Sequence, residues 1–236
     1  MSCEKLTYNV INRINICTGV LENSSYLHMD SNAWRTPRAL RRWLLDYAER
    51  NAIEIIGDAC ASDKNYFDGV RYYYTEEDDA MQHNWSKAEW AREIPDWQPR
   101  GSINVTHYWV MNHPYSVDSH GHSPKAWFAK AYNQALKGIG VFVITKAPCG
   151  EQNRWGKYVF GKAMVVYNVE SKVKYGHPDT GKEEKSAKFG TWVIVYNPKL
   201  LSCQDGAPFD TVIKPLYLYI FCLLPGILAR HLGNLV

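Results

Sequence analysis

The chain has little net charge, no cysteines at metal-knuckle or redox spacing, no internal repeat and no apolar stretch long enough to cross a bilayer. Its 236 residues carry 27 Lys+Arg against 24 Asp+Glu, a formal charge of +3. So small an imbalance excludes a polyanion binder driven by bulk charge, and any contact with nucleic acid falls to a local basic face. The 46% hydrophobic content excludes wholesale disorder. The cysteines Cys3, Cys17, Cys60, Cys149, Cys203 and Cys222 are scattered, and read as reduced thiols of a cytoplasmic protein. The opening residues, MSCEKLTYNV, lack the apolar core of a signal peptide. The longest apolar run, Leu216 to Ala229, is broken by Pro225 and Gly226 and falls short of the ~20 residues that span a membrane. It reads as a buried terminal strand or helix rather than a membrane contact.

What the chain does have is aromatic side chains, at 14% of residues with 16 Tyr and 9 Trp. Most such rings build core, and the same rings stack on nucleic-acid bases. The length favours one compact domain, with residues 1–33 as an N-terminal extension and 34–236 as the domain proper. Thr36 at an N-cap and Pro37 at the first helical position, followed by Leu40, Trp43, Leu44, Tyr47 and Ala48, predict a helix. Residues 53–57 (IEIIG), 70–74, 107–111 (HYWVM), 141–144, 163–169 and 191–196 (TWVIVY) read as strands. A further helix is predicted from Pro124 to Lys137, closed by Gly138 and Gly140. Residues 86–102 read as a surface excursion. This strand–helix alternation predicts an α/β open sheet.

In such sheets ligands sit outside the carboxyl ends of the strands. Two strands end in unusual polar sequences, Asp58-Ala59-Cys60-Ala61 and Asn112-His113-Pro114-Tyr115. An Asn side-chain oxygen and the neighbouring backbone carbonyl can accept both hydrogens of one exocyclic amino group. That concentrates lone-pair density on the nitrogen and favours its attack on an electrophile. Pro114 fixes the backbone, and Tyr115 offers a ring face to a base rotated out of a duplex. An ordinary turn closing a strand is the alternative reading of the four residues alone.

The order of the motifs is more specific than any one of them. Trp34-x-Thr36-Pro37-x-x-Leu40, Asp58-Ala59-Cys60-Ala61 and Asn112-x-Pro114-Tyr115 follow one another, with 22 residues from Thr36 to Asp58 and 54 from Asp58 to Asn112. An acidic stretch, Thr75 to Met81, precedes Trp85, and Trp127-Phe128-Ala129-Lys130-Ala131 precedes a buried strand. Over residues 34–197 the pattern resembles the phage Dam-type DNA N-6-adenine methyltransferases, with their W-x-T-P-x-x-L, D-x-C-A, N-P-P-Y and W-x-x-K-A elements. The resemblance implies a Rossmann-like methyltransferase sheet with helices on both faces, S-adenosyl-L-methionine (SAM) as cofactor, and double-stranded DNA as substrate. It implies that Asn112, His113, Pro114 and Tyr115 hold the target adenine. Thr36, Pro37, Asp58, Ala59, Cys60 and Ala61 would bind the cofactor, with Asp78 or Asp79 gripping the ribose hydroxyls. It also implies a phage protein acting in the bacterial cytoplasm against restriction, with a short palindrome such as GATC as its site. The chain departs from the pattern at His113, where the family has a first proline, and at the Asp58 turn, which lacks the usual glycines.

Two features stand outside that pattern. His120 and His122, with Asp118, read either as a metal set or as a loop that closes on DNA or is solvated. The Lys-rich stretch with Lys172, Lys174, Lys182, Lys185 and Lys188 reads either as a phosphate contact or as a solvated loop balanced by Asp179, Glu183 and Glu184. Rival readings of the whole are a non-catalytic binder of DNA or a host protein, and a metal-dependent nuclease using His113, His120 and His122. Transfer to an amino group on RNA or protein is a third. A monomer or weak dimer is expected.

Overall fold

The computed structural model describes residues 35–62, 66–87, 90–95, 105–147, 157–169, 173–176, 182, 189–202 and 211–216. The extension 1–33, Trp34, Lys172, Lys185, Lys188, the apolar run beyond Leu216 and every cysteine except Cys60 lie outside these residues. The elements run α1 (Arg38–Arg50), β1 (Ile53–Asp58), β2 (Tyr72–Tyr73), β3 (Arg92–Glu93), β4 (Thr106–Asn112), α2 (Pro124–Leu136), β5 (Gly140–Lys146), β6 (Val165–Val169), β7 (Thr191–Tyr196), α3 (Pro198–Ser202) and β8 (Val212–Leu216). The strands form one mixed eight-stranded sheet in the order β3-β2-β1-β4-β5-β7-β6-β8. Strands β2, β1, β4 and β5 are parallel, β7 runs antiparallel to β5 and β6, and β8 lies parallel to β6. The chain is therefore an α/β protein whose strand order reverses between β1 and β4.

The helices form where the sequence pattern puts them, with one changed cap. α1 buries Leu40, Leu44, Tyr47 and Ala48, the three- and four-residue spacing of one helical face. Its N-cap is Pro37 with no side-chain cap bond, not Thr36, because the Thr36 hydroxyl instead accepts a bond from Asn112. α2 starts at Ser123, whose side chain accepts from the Ala126 N–H, and buries Trp127, Phe128, Ala131 and Ala135. Gly138, at φ +95°, ends it in a conformation that costs glycine little. Gly140 belongs to β5 rather than to the helix stop. The stretch 86–102, read as excursion, contributes β3, which adds antiparallel to β2. Beyond residue 198 the chain adds α3 and β8, and Leu216 ends β8 as a buried residue.

Alternation along β4 sorts its side chains into two cores. Tyr108 and Val110 join Leu40, Leu44 and Tyr47 of α1, whereas Trp109 and Met111 join Trp127, Phe128 and Ala131 of α2. Both large rings of β4 lie on a glycine of the next strand. Trp109 pairs with Gly57 of β1 and Tyr108 with Gly140 of β5. A Cβ built at Gly57 would stand 2.4 Å from the Trp109 ring, and one at Gly140 would stand 2.3 Å from Tyr108. Neither glycine can be replaced without displacing a fully buried ring. We expect Gly57→Ala and Gly140→Ala each to lower stability in chemical denaturation by about 1–3 kcal/mol, the usual cost of overpacking. Gly190→Ala, where the added carbon meets Ala147 Cβ at 3.2 Å, should cost less.

Candidate active site

Because β4 alternates, its last residues leave the sheet on opposite sides. Asn112 continues the side of Tyr108 and Val110, facing α1. Its Nδ2 donates to Thr36 Oγ1 at 3.2 Å across 76 residues of sequence. Its Oδ1 accepts from the Tyr115 hydroxyl at 3.3 Å, and that hydroxyl also lies 3.0 Å from the Tyr175 hydroxyl. Tyr175 in turn meets Thr191 Oγ1 at 3.1 Å. The result is a hydrogen-bonded relay, Thr36–Asn112–Tyr115–Tyr175–Thr191, that fixes both ends of the Asn112 amide. Burial and the neighbouring Tyr175 hold the Tyr115 phenol well above its ordinary range. Burial likewise raises Tyr175, against the bonds from Thr191 and Tyr115. Both remain neutral hydroxyls at physiological pH.

His113 turns the other way. It is buried, packs on Phe128 of α2 with ring centroids 5.2 Å apart, and bonds through Nε2 to Thr145 Oγ1 at 3.1 Å. Its Nδ1 lies 2.7 Å from the Pro114 carbonyl. A carbonyl only accepts, so Nδ1 carries a proton and donates to it. The His113 imidazole is thus a core group, and no observed contact joins it to His120 or His122.

Asp58 ends β1 on the α1 side. Its carboxylate accepts from the Cys60 N–H at 3.0 Å and the Phe67 N–H at 2.9 Å. Arg41 reaches the same loop, donating to the Tyr66 carbonyl and Asp68, and also to the Thr36 carbonyl at 3.0 Å. Asp58 and Arg41 therefore shape the turn and anchor it to the start of α1. Ala59 donates to the Val110 carbonyl and Ala61 to the Tyr74 carbonyl, each at 2.9 Å. The 58–61 turn is stitched to β4 on one side and to the end of β2 on the other.

Beyond β2 both candidate ribose acids are engaged within the chain. Asp78 accepts from the Thr75 N–H, the Thr75 hydroxyl and Arg92 Nε, all at 2.8 Å. Burial pushes its pKa up, but these bonds outweigh burial and hold it below the ordinary value. Asp79 faces His122 Nε2 at 3.1 and 3.2 Å. It too is held low, with the His122 bond foremost in overcoming burial.

His120 donates to the Glu76 carbonyl at 2.7 Å, and Ser119 bonds the Glu76 carboxylate. That carbonyl bond raises the His120 pKa, helped by nearby carboxylates. Asp118 folds the loop itself, accepting from the N–H groups of His120 and His122 and from Trp127 Nε1. The loop after β4 is thereby strapped to the acidic stretch. Among the described residues no three His, Cys, Asp or Glu are grouped to hold a metal. The two imidazoles reach separate acceptors, a backbone carbonyl and the Asp79 carboxylate.

Other motif residues prove to be framework. Lys130 donates to the Met81 and His83 carbonyls at 2.8 and 2.5 Å, and burial lowers its pKa to about 8. Trp85 is fully buried and donates to the Ala80 carbonyl at 2.9 Å. The Cys60 thiol is pushed well up by burial and the adjacent carboxylates, so it is inert as a nucleophile. The residues missed in sequence are Tyr175 and Thr191 of the relay, with Phe189, which packs edge-on to Tyr115 at 5.3 Å. The aromatic excess was a signal for Tyr175 and Phe189, and Thr191 lay in the run read as a strand.

The fold and geometry define an α/β protein with a polar site at the carboxyl edge of its sheet, where β1 and β4 lie side by side. Comparison with family models, curated proteins and solved structures finds no match to this chain.

The Asp58 site carries a pH signature. Burial foremost, opposed by the Cys60 and Phe67 N–H groups and by Arg41, raises its pKa from 3.8 to about 6. The native state therefore keeps a proton between pH 3.8 and about 6 that the unfolded chain has lost. Stability from this group is fully present below pH 3.8 and lost as the pH rises through 6. The full shift corresponds to about 3 kcal/mol. In denaturation at stepped pH, Asp58→Asn should lose this slope between pH 4 and 6, whatever its absolute stability; an unchanged slope would remove Asp58 as its source.

Proposed function

We propose that the chain is a SAM-dependent methyltransferase acting on the N-6 amino group of adenine in duplex DNA. The observation that carries this reading is the Thr36–Asn112 bond, which joins the first and third motifs of the sequence pattern at the carboxyl edge of the sheet. Asp58 of the second motif lies on the neighbouring strand, and Arg41 links its loop to Thr36. The order β3-β2-β1-β4-β5, with its reversal beside β1, supports a Rossmann-like methyltransferase sheet, since ligands bind at such a switch point. The membership of α1 and α2 in different core clusters supports helices on both faces. No helix among the described residues is long and apolar enough to cross a membrane, which accords with work in a bacterial cytoplasm against restriction.

The donor set beside the turn fits SAM by charge. Asp118 acts electrostatically on Cys60 of the turn, Glu76 and Asp79 are bonded to the loop that carries Asp118, and carboxylates suit a cofactor that carries a sulfonium and a ribose diol. Thr36, Pro37, the Asp58–Ala61 turn and Asp78 or Asp79 would hold it. When bound, SAM supplies an electrophilic methyl group. The chain's own part is to orient the acceptor. Thr36 holds Nδ2, so Asn112 Oδ1 faces the base, and one of its two lone pairs remains beyond the Tyr115 bond. That lone pair and the His113 carbonyl accept from the adenine amino group and make its nitrogen a better nucleophile. The extruded base rests on Tyr115. Positioning and electrostatics carry the rate, with no covalent protein intermediate.

A second reading is a methyltransferase-like binder of DNA without turnover. The double anchoring of the Asn112 amide and the loop strapped over the acidic stretch favour it. Labelled methyl transfer from SAM to unmethylated bacterial DNA, followed by nucleoside analysis, separates the two. Label in N-6-methyladenine is expected. Absence of label with calorimetric SAM binding intact would leave the binder, and absence of both would end the SAM reading.

Asn112→Ala should abolish transfer while SAM affinity stays within a few-fold; equal loss of both would make Asn112 structural. Tyr175→Phe deletes the hydroxyl that anchors Tyr115. It should lower kcat about tenfold, or ~1.4 kcal/mol, with KM for SAM unchanged. A fall in melting temperature alone would mark Tyr175 as packing only.

A further inference from the structure

Charge is divided across the site. The acids Glu76, Asp78, Asp79 and Asp118 lie on the α2 side, bonded to the strapped loop, Thr75 and Arg92. Cations collect on the relay side. An antiparallel bridge, Arg35 N to Gly176 O at 2.9 Å and Gly176 N to Arg35 O at 3.1 Å, lays the entry to α1 beside residues 173–176. Thr36 and Tyr175 bond Asn112 and Tyr115, and Arg35 and exposed Lys174 are their neighbours in sequence.

Arg38 is exposed at the first position of α1. Lys146 ends β5, with its Nζ 5.3 Å from the centre of the Phe189 ring that packs on Tyr115. Arg41 is different, because it turns inward to Asp68. Arg38 stands at the N-terminal end of α1.

We propose that Arg35, Arg38, Lys146 and Lys174 form the phosphate-contacting rim through which the site holds duplex DNA. The proposal rests on the reading of the site as one that acts on DNA. Contacts of this kind fix register without reading sequence, and each neutralised phosphate adds about −0.9 to the slope of log affinity against log salt. The test is fluorescence anisotropy of the full chain with short duplexes of unrelated sequence, from about 50 to 200 mM salt. Arg38→Gln, Lys146→Gln and Lys174→Gln should each reduce the slope by about 1 and weaken all duplexes alike. Calorimetric SAM affinity and circular dichroism should not change. Lys214→Gln, exposed on β8 at the far edge of the sheet, should leave the slope unchanged.

If the wild type methylates DNA while the three variants keep its slope, the rim is wrong and the function stands. An equal effect of Lys214→Gln would replace the rim by diffuse binding and overturn it. A wild type that binds no duplex, or prefers single-stranded RNA, overturns the rim together with the DNA reading.

Discussion

The position of everything at the site depends on how β4 is gripped. Two large rings, Tyr108 and Trp109, stand side by side in sequence and project to opposite faces, each lying on a glycine of a different neighbouring strand. Their shape fit comes at the expense of polar satisfaction. The Tyr108 hydroxyl and the Trp109 N–H are buried with no hydrogen-bond partner among the described residues, a cost of about 1–3 kcal/mol each. A slip of one residue would put both rings against side chains instead of glycine. Fixed register then fixes parity. Asn112 must face α1 and Thr36, and His113 must face α2 and Thr145.

From that parity follows the division of labour at the carboxyl edge. On the α1 side hydroxyls and one amide form a relay with no charged member, bounded by cations. On the α2 side carboxylates are held by a loop that belongs to β4. The 58–61 turn sits between the two and is bonded to both neighbouring strand ends. Asp58 and Arg41 hold this turn to the start of α1, so a motif near the beginning of the chain and a motif near its middle are set by the same few bonds.

Much of this was legible from residue order. The spacing of Leu40, Leu44, Tyr47 and Ala48 located α1, and the runs IEIIG, HYWVM and TWVIVY located β1, β4 and β7. Strand–helix alternation with polar sequences at two strand ends pointed to the carboxyl edge of the sheet. The role of Thr36 was misread locally, because an N-cap assignment considers only neighbours in sequence while its hydroxyl answers to Asn112. β3 was hidden in a Trp- and Pro-rich stretch, since two residues carry no periodicity. The His120 and His122 pair left a metal set and a loop both open, because spacing does not tell an imidazole's partner. In the folded chain those partners are a backbone carbonyl and a carboxylate of the acidic stretch.

By itself the sequence determined the elements and the residue types at the strand ends, because helix and strand periodicities and turn chemistry are short-range. Tertiary structure alone decided which of those residues meet. Tyr175 and Thr191 lie far from Asn112 along the chain, in stretches with no motif, and only the antiparallel β5–β7 pairing and the Arg35–Gly176 bridge bring them to it. Long-range pairing of this kind is set by register and packing across the sheet, which no local pattern encodes.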